Sequence, residues 1–265
     1  MNIFFHELRA YRKSTIIWTV SLVLIIALFM SFYPAFAKDA DSFKKIMEGY
    51  PEAIRNAIGF NLGNFFTILG FYCFPLSFIT LCGAIQGMNL GTSIVSKEVR
   101  EKTADFLLTK PITRTTIMTS KLLAAFISIV MTSIIYLIVT LILTFQVKTD
   151  EFSVKILVLL SLTMFFIQLI FLAIGVMISV IVPKIKSVLS VSLTTVFAFY
   201  FLGMFSSSTG EEAKRYISPF KYFDTAYIIK HSGYEASFLI VSAVIIILAI
   251  TASYFVYIKK DIHSV

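Results

Sequence analysis

Few side chains in this sequence could carry out chemistry on a substrate, and their spacing argues against most of that chemistry. Glu211 and Glu212 with Arg215 have the types of a general acid–base pair held by a cation, but they sit in a polar stretch between apolar runs. His6, His231 and His263 fall in three separate segments, so sequence proximity builds no metal triad. Cys73 and Cys82 share one apolar run without a zinc spacing or a disulfide framework, and read as buried, inert thiols. No G-x-x-x-x-G-K-[ST] stretch occurs, so no Walker loop cradles a nucleotide phosphate.

What remains is work done by docking and motion. Val95 to Lys121 is a charged island between two long apolar runs. Glu98 precedes Lys102, and Lys97 precedes Glu101, by the four residues that pair side chains on one helix face. Thr103 can cap a short second turn, Ala104 to Lys110, before Pro111 stops it. Phe106, Leu107 and Leu108 then form a small apolar bump suited to a groove in another protein.

Glu98, Thr103, the Leu107–Leu108 pair, the run Pro111, Ile112, Thr113, Arg114, and Lys121 resemble the cytoplasmic loop of ABC-2 type transporter permeases. These are the membrane subunits of ATP-binding-cassette exporters. The family pattern is an acidic residue, Gly-Thr, Leu-Leu, Pro-(Val/Ile)-(Ser/Thr)-Arg and a Lys; Lys102 stands where Gly is usual. The aromatic segment Ser218 to Phe223 is similar to the same family, and the likeness extends over the whole chain, residues 1–265, as one permease domain.

The resemblance implies an all-α integral membrane protein, pairing with itself or a similar subunit. Two ABC ATPase subunits would dock on the cytoplasmic face and carry the ATP and Mg, leaving no cofactor in this chain. Glu98, Glu101, Thr103, Phe106, Leu107, Leu108, Pro111 and Arg114 would couple to them through a cytoplasmic coupling helix. Tyr216, Pro219, Phe220, Tyr222 and Phe223 would lie near an outer gate. The cargo would be an antimicrobial peptide, a lipid-like compound or an ion.

Elements that could position these groups follow from hydropathy. At 58% hydrophobic and 14% charged, the chain is far from the roughly 25% charged of soluble domains. Apolar runs predict six spans: Ser14–Phe36, Leu62–Leu90, Thr116–Phe145, Val154–Val182, Ser187–Phe205 and Ala236–Ile258. Ahead of them, Met1 to Lys13 is predicted to be an amphipathic helix lying along the membrane surface. Ala37 to Asn61 reads as one or two short outer amphipathic helices. Ser206 to Glu235 reads as short interfacial helices.

The side holding the N-terminus, the island, the Pro183 turn and the tail carries thirteen Lys and Arg against five acids; the other side carries ten against ten. Both termini and the island are therefore expected in the cytoplasm, in a multi-pass arrangement in a bacterial plasma membrane. The net charge of +8 follows membrane sidedness and points to no nucleic acid.

Within the spans, Gln86, Asn89 and Gln168 either line a translocation path or bridge neighbouring helices. On this reading no Asp, Glu, Lys or Arg lies well inside a span, which disfavours an ion-coupled secondary transporter or channel, the alternative function.

Overall fold

Apolar runs in lipid must satisfy their backbone internally, and helices do this within one segment. A computed structural model describes residues 3–38, 49–51, 67–100, 112–149, 151–182, 184–208 and 212–259. Six of its helices are long and apolar enough to cross a membrane. They are α1 (Ile3–Lys38), α2 (Ile68–Arg100), α3 (Arg114–Val147), α4 (Val154–Ile181), α5 (Val188–Ser208) and α7 (Ala236–Lys259). Between the last two lie 3-10 turns at Glu212–Ile217 and Pro219–Lys221, and the short helix α6 (Thr225–His231). The chain is all-helical across these residues, as the apolar pattern requires.

Length separates the long helices. The 36 residues of α1 and 34 of α3 measure over about 50 Å at the helical rise. A hydrocarbon core of roughly 30 Å leaves several turns of each outside it. The sequence reading divides a surface helix at Met1–Lys13 from span one, whereas α1 runs unbroken from Ile3. Phe4 and Tyr11 supply the reason: they pack against the buried cluster that contains Leu90, Ile94 and Met118, so these turns of α1 rest on protein. The Tyr11 hydroxyl also meets Ser93 Oγ at 2.9 Å. The outer stretch 39–48 and 52–66 lies outside the described residues, as does the middle of the island, 101–111.

α2 and α4 form the centre. Their most apolar windows are 72% and 61% buried, against 17–28% for the other four spans. What lets them approach is Gly83, Gly87 and Gly91, repeating every fourth residue down one face of α2. A Cβ on Gly87 or Gly91 would overlap the carbonyl oxygen of Gln168 or Leu172, and one on Gly83 would stand 2.9 Å from Met164 Cγ. Gly175 returns the arrangement from α4, where a Cβ would lie 2.6 Å from Met88 O. Small residues of this spacing bring backbones together in lipid, where apolar burial alone gives helices little reason to associate.

Around this pair, α1 packs on α3 and α2, and α7 packs on α4 and α3. Contacts between Glu7 and Lys121, Tyr11 and Ser93, and Arg114 and Ile258 gather the start of α1, the end of α2, the start of α3 and the end of α7 at one end of the bundle. That end carries both flanks of the island. Tyr33 meeting Thr149 marks the opposite end.

Gly87→Ala is expected to destabilise the folded protein by about 1–3 kcal/mol through overpacking against α4. Gly233→Ala should change nothing, since its Cβ would find only His231 O at 3.9 Å. Thermal unfolding of both variants in detergent checks this; equal midpoints would refute the close seam.

Candidate functional site

Polar side chains in a lipid-embedded bundle have to meet one another, and the described ones do so at successive levels. At the island end, Thr113 caps α3 by accepting a hydrogen bond from Thr116 N at 3.2 Å. Arg114 Nη1 donates to Ile258 O at 3.2 Å, placing its positive charge at the carbonyl end of α7, where the helix dipole favours it. Tyr254 of α7 meets Thr119 of α3 at 2.8 Å. Of the residues expected to couple to a partner, Arg114 is therefore seen rooting α3 against α7. Glu101, Thr103, Phe106, Leu107, Leu108 and Pro111 lie outside the described residues, and so does the side chain of Glu98.

One turn further into α3, Lys121 is 1% exposed. Its Nζ donates to Ile94 O of α2 at 2.5 Å and stands 3.8 Å from a carboxylate oxygen of Glu7, itself 4% exposed. The sequence reading counts Lys121 with the polar island and keeps charge out of the spans. Instead this ammonium is enclosed by three helices, because the unbroken α1 carries an acid to it.

Deeper still, the two glutamines bridge helices. Gln168 Nε2 donates to Gln86 Oε1 at 2.9 Å, Gln86 Nε2 donates to Thr132 Oγ1 at 3.0 Å, and Thr132 meets Thr19 at 2.9 Å. Ser133 donates to Gln168 Oε1 at 3.0 Å. The chain of bonds joins α1, α2, α3 and α4, and Gln86 and Gln168 are almost fully buried in it. Asn89 stands apart from it. With Gln86 and Leu90 it faces Tyr11, Ser14, Thr15 and Trp18 across a small cleft between α1 and α2. Toward the opposite end, Tyr72 joins Tyr136 at 2.7 Å and Ser161 at 2.8 Å.

At that end the segment after α5 folds back among α4, α5 and α7. Ser218 Oγ donates to Phe199 O at 2.7 Å, and this approach needs Gly203, whose Cβ would stand 2.8 Å from Ser218 Oγ. Phe220 packs on Phe171, Phe223 stacks on Phe166, and Tyr222 stacks on Phe238 while donating to Tyr216 O. Pro219, Tyr222 and Phe223 are buried, whereas Tyr216 is exposed and lies tilted against Phe238, ring centres 4.8 Å apart.

Arg215 holds the fold-back in place: it grips Glu235 with two donors at 2.6 and 3.2 Å, covers the Phe238 ring and donates to Lys221 O. Burial pushes the Lys221 ammonium below its ordinary range, Asp224 pulling it back up and Arg215 pushing it further down. Burial also raises the Tyr222 and Tyr234 phenols, and Tyr234 donates to Leu159 O. The five residues expected near an outer gate are thus gathered into one aromatic segment.

Sequence reasoning missed the glycine seam, although the G-x-x-x-G-x-x-x-G run from Gly83 to Gly91 signals it, and missed the Glu7–Lys121 pair, which no local pattern encodes. Among the described residues no group of three or more His, Cys, Asp or Glu could hold a metal ion. Compared with known families, the chain matches the one described as ABC-2 family transporter protein over residues 1–262. No curated protein matches it.

Gln86→Leu and Gln168→Leu should each destabilise the bundle, by about 1 kcal/mol or somewhat more, because each takes from the remaining amide the partner of one of its two polar atoms. The double variant is expected to lose less than the sum of the singles. Additive losses in a thermal double-mutant cycle would show that the amides do not depend on each other.

Proposed function

The chain belongs to the ABC-2 family of transporter proteins, and we propose that it is the permease of an exporter whose ATP-hydrolysing subunit is a separate polypeptide. It is a multi-pass membrane protein, with six helices apolar enough to span. In this reading a second permease subunit, identical or similar, completes the path, and two ATPase subunits bind the cytoplasmic face with their own ATP and Mg. The excess of Lys and Arg beside the island supports a cytoplasmic location for it and for both termini in a bacterial plasma membrane.

The observation that carries the reading is how the island is anchored. The helices that flank it, α2 and α3, are tied at their roots to each other through Lys121–Ile94, to α1 through Tyr11–Ser93 and to α7 through Thr119–Tyr254 and Arg114–Ile258. A loop rooted in four helices passes displacement to the whole bundle, where an untethered loop would absorb it. Coupling then enters through Glu98, Glu101, Thr103, the Phe106–Leu108 bump, Pro111 and Arg114.

Outward movement of an amphipathic or lipid-like cargo fits the mostly apolar spans. Gln86 and Gln168 are engaged with each other, so Asn89, on the α1–α2 cleft, is the polar side chain best disposed to meet cargo or water. The segment from Tyr216 to Phe223 closes the outer end.

Replacing Phe106, Leu107 and Leu108 together with Ser should leave the protein in the membrane and abolish its co-purification with the ATPase subunit or the transport-linked part of ATP turnover. Unchanged association and unchanged turnover would overturn the coupling role. Vigorous transport by the purified permease alone would favour a partner-independent transporter.

A further inference from the structure

Glu7 is the one described carboxylate that is fully enclosed by the helical bundle, at 4% exposure, and it lies outside any stretch that the proposed function uses. It sits opposite Lys121, also enclosed, at 3.8 Å, while the same ammonium donates to Ile94 O. Three helices therefore meet at one charge pair. Its place is significant: Ile94, in the last turns of α2, directly precedes the island, and Lys121, in the first turns of α3, ends it. One turn along the same face of α1, Tyr11 bonds Ser93 and lies under Lys97, 5.8 Å from its ring centre.

Stability does not account for such a pair. Taking both charges out of water costs more than their attraction reliably returns, and well-packed apolar residues of similar size often do as well or better. The Glu7 carboxylate is also incompletely satisfied, since Oε2 has no hydrogen-bond partner among the described residues. What a buried pair supplies, and apolar packing does not, is a fixed direction: sliding α1 along α3 would strand a charge in a low-dielectric interior, so the helices resist relative motion there.

We propose that Glu7 is a positioning residue for coupling, clamping the first turns of α1 to the root of α3 through Lys121 so that α1, α2 and α3 move as one body when the island is displaced. This rests on the coupling reading above. It gives the unbroken N-terminal extension of α1 a task in the transport cycle: without the clamp, displacement at the island shears α3 past α1 and does not reach the outer segment.

The test uses the permease with its ATPase subunit in lipid vesicles and needs no knowledge of the cargo. In a background with Cys73 and Cys82 replaced by Ala, Lys221→Cys on the outer segment reports labelling by a membrane-impermeant maleimide, with and without ATP and vanadate. The parent should show a several-fold, nucleotide-dependent change in labelling rate. Glu7→Gln should abolish that change while the ATPase subunit still co-purifies.

Because Glu7→Gln could impair folding, Glu7→Leu with Lys121→Met is the deciding variant: it should match the parent in thermal midpoint and yet lose the response. A stable double variant that responds like the parent overturns the proposal. The Phe106, Leu107, Leu108→Ser variant separates the two ideas. If it too responds like the parent, the coupling reading itself fails; if it is silent while both Glu7 variants respond, only the clamp does.

Discussion

Backbone contact between α2 and α4 is the constraint on which the rest of the bundle depends. In lipid, apolar side chains gain nothing by leaving one hydrocarbon surface for another, so helices associate through close packing and through polar groups that have nowhere else to bond. Gly83, Gly87 and Gly91 supply the first of these, drawing α4 so near that at Gly87 and Gly91 its carbonyl oxygens occupy the space of the absent Cβ atoms. The same contact sets the second. Gly87 lies against the backbone of Gln168, and this register brings the side chain of the preceding residue, Gln86, within 2.9 Å of the Gln168 amide. The bridge of amides is thus a consequence of the glycine seam, and α1 and α3 join it only through the hydroxyls of Thr19, Thr132 and Ser133.

Helices outside that seam are held differently. α5 and α7 turn most of their surface away from the protein, and polar contacts fix them mainly near their ends. α5 is fastened by Ser218 donating to the Phe199 carbonyl, and the start of α7 by Glu235 in the grip of Arg215. Aromatic faces do the rest: Phe166, Phe171 and Phe238 receive Phe223, Phe220 and Tyr222 in turn. A segment kept in place by stacking and a few hydrogen bonds can leave its site at modest cost, whereas separating α2 from α4 would open a long, dry interface. Motion in this fold is accordingly expected at its rim.

The spans were legible because twenty or so apolar residues in succession have one solution in lipid. Val154–Val182 and Ala236–Ile258 differ from the observed helices by a single residue at one end. Span two was read to begin at Leu62; α2 is described from Ile68, and 62–66 lie outside the described residues. The aromatic segment after α5 was legible from its mixture of charge and aromatic rings, though not how far it folds back onto Phe171. The N-terminal turns were not legible: Phe4, Leu8 and Tyr11 on one face say only that the face is apolar, and lipid headgroups or neighbouring helices could equally cover it. Glu7 meeting Lys121 joins residues far apart in sequence, and such a pair appears only when α1, α2 and α3 are assembled.

Of the described helices, α7 links the two functional ends by polar contacts. Its C-terminal turn accepts Arg114 at Ile258 O and meets Thr119 through Tyr254, beside the root of the island. Its N-terminal turn holds the outer segment through Glu235 and Phe238, both engaged by Arg215. A helix of 24 residues is stiff along its axis, and a shift at one end arrives at the other with little loss. α4 also reaches both ends, but it is locked to α2 by the glycine seam and moves only with the core. A rim helix anchored at both ends and exposed along most of its length has the freedom that α4 lacks, so α7 can carry a shift from the island root to the outer segment by sliding on α4, without any rearrangement of the centre.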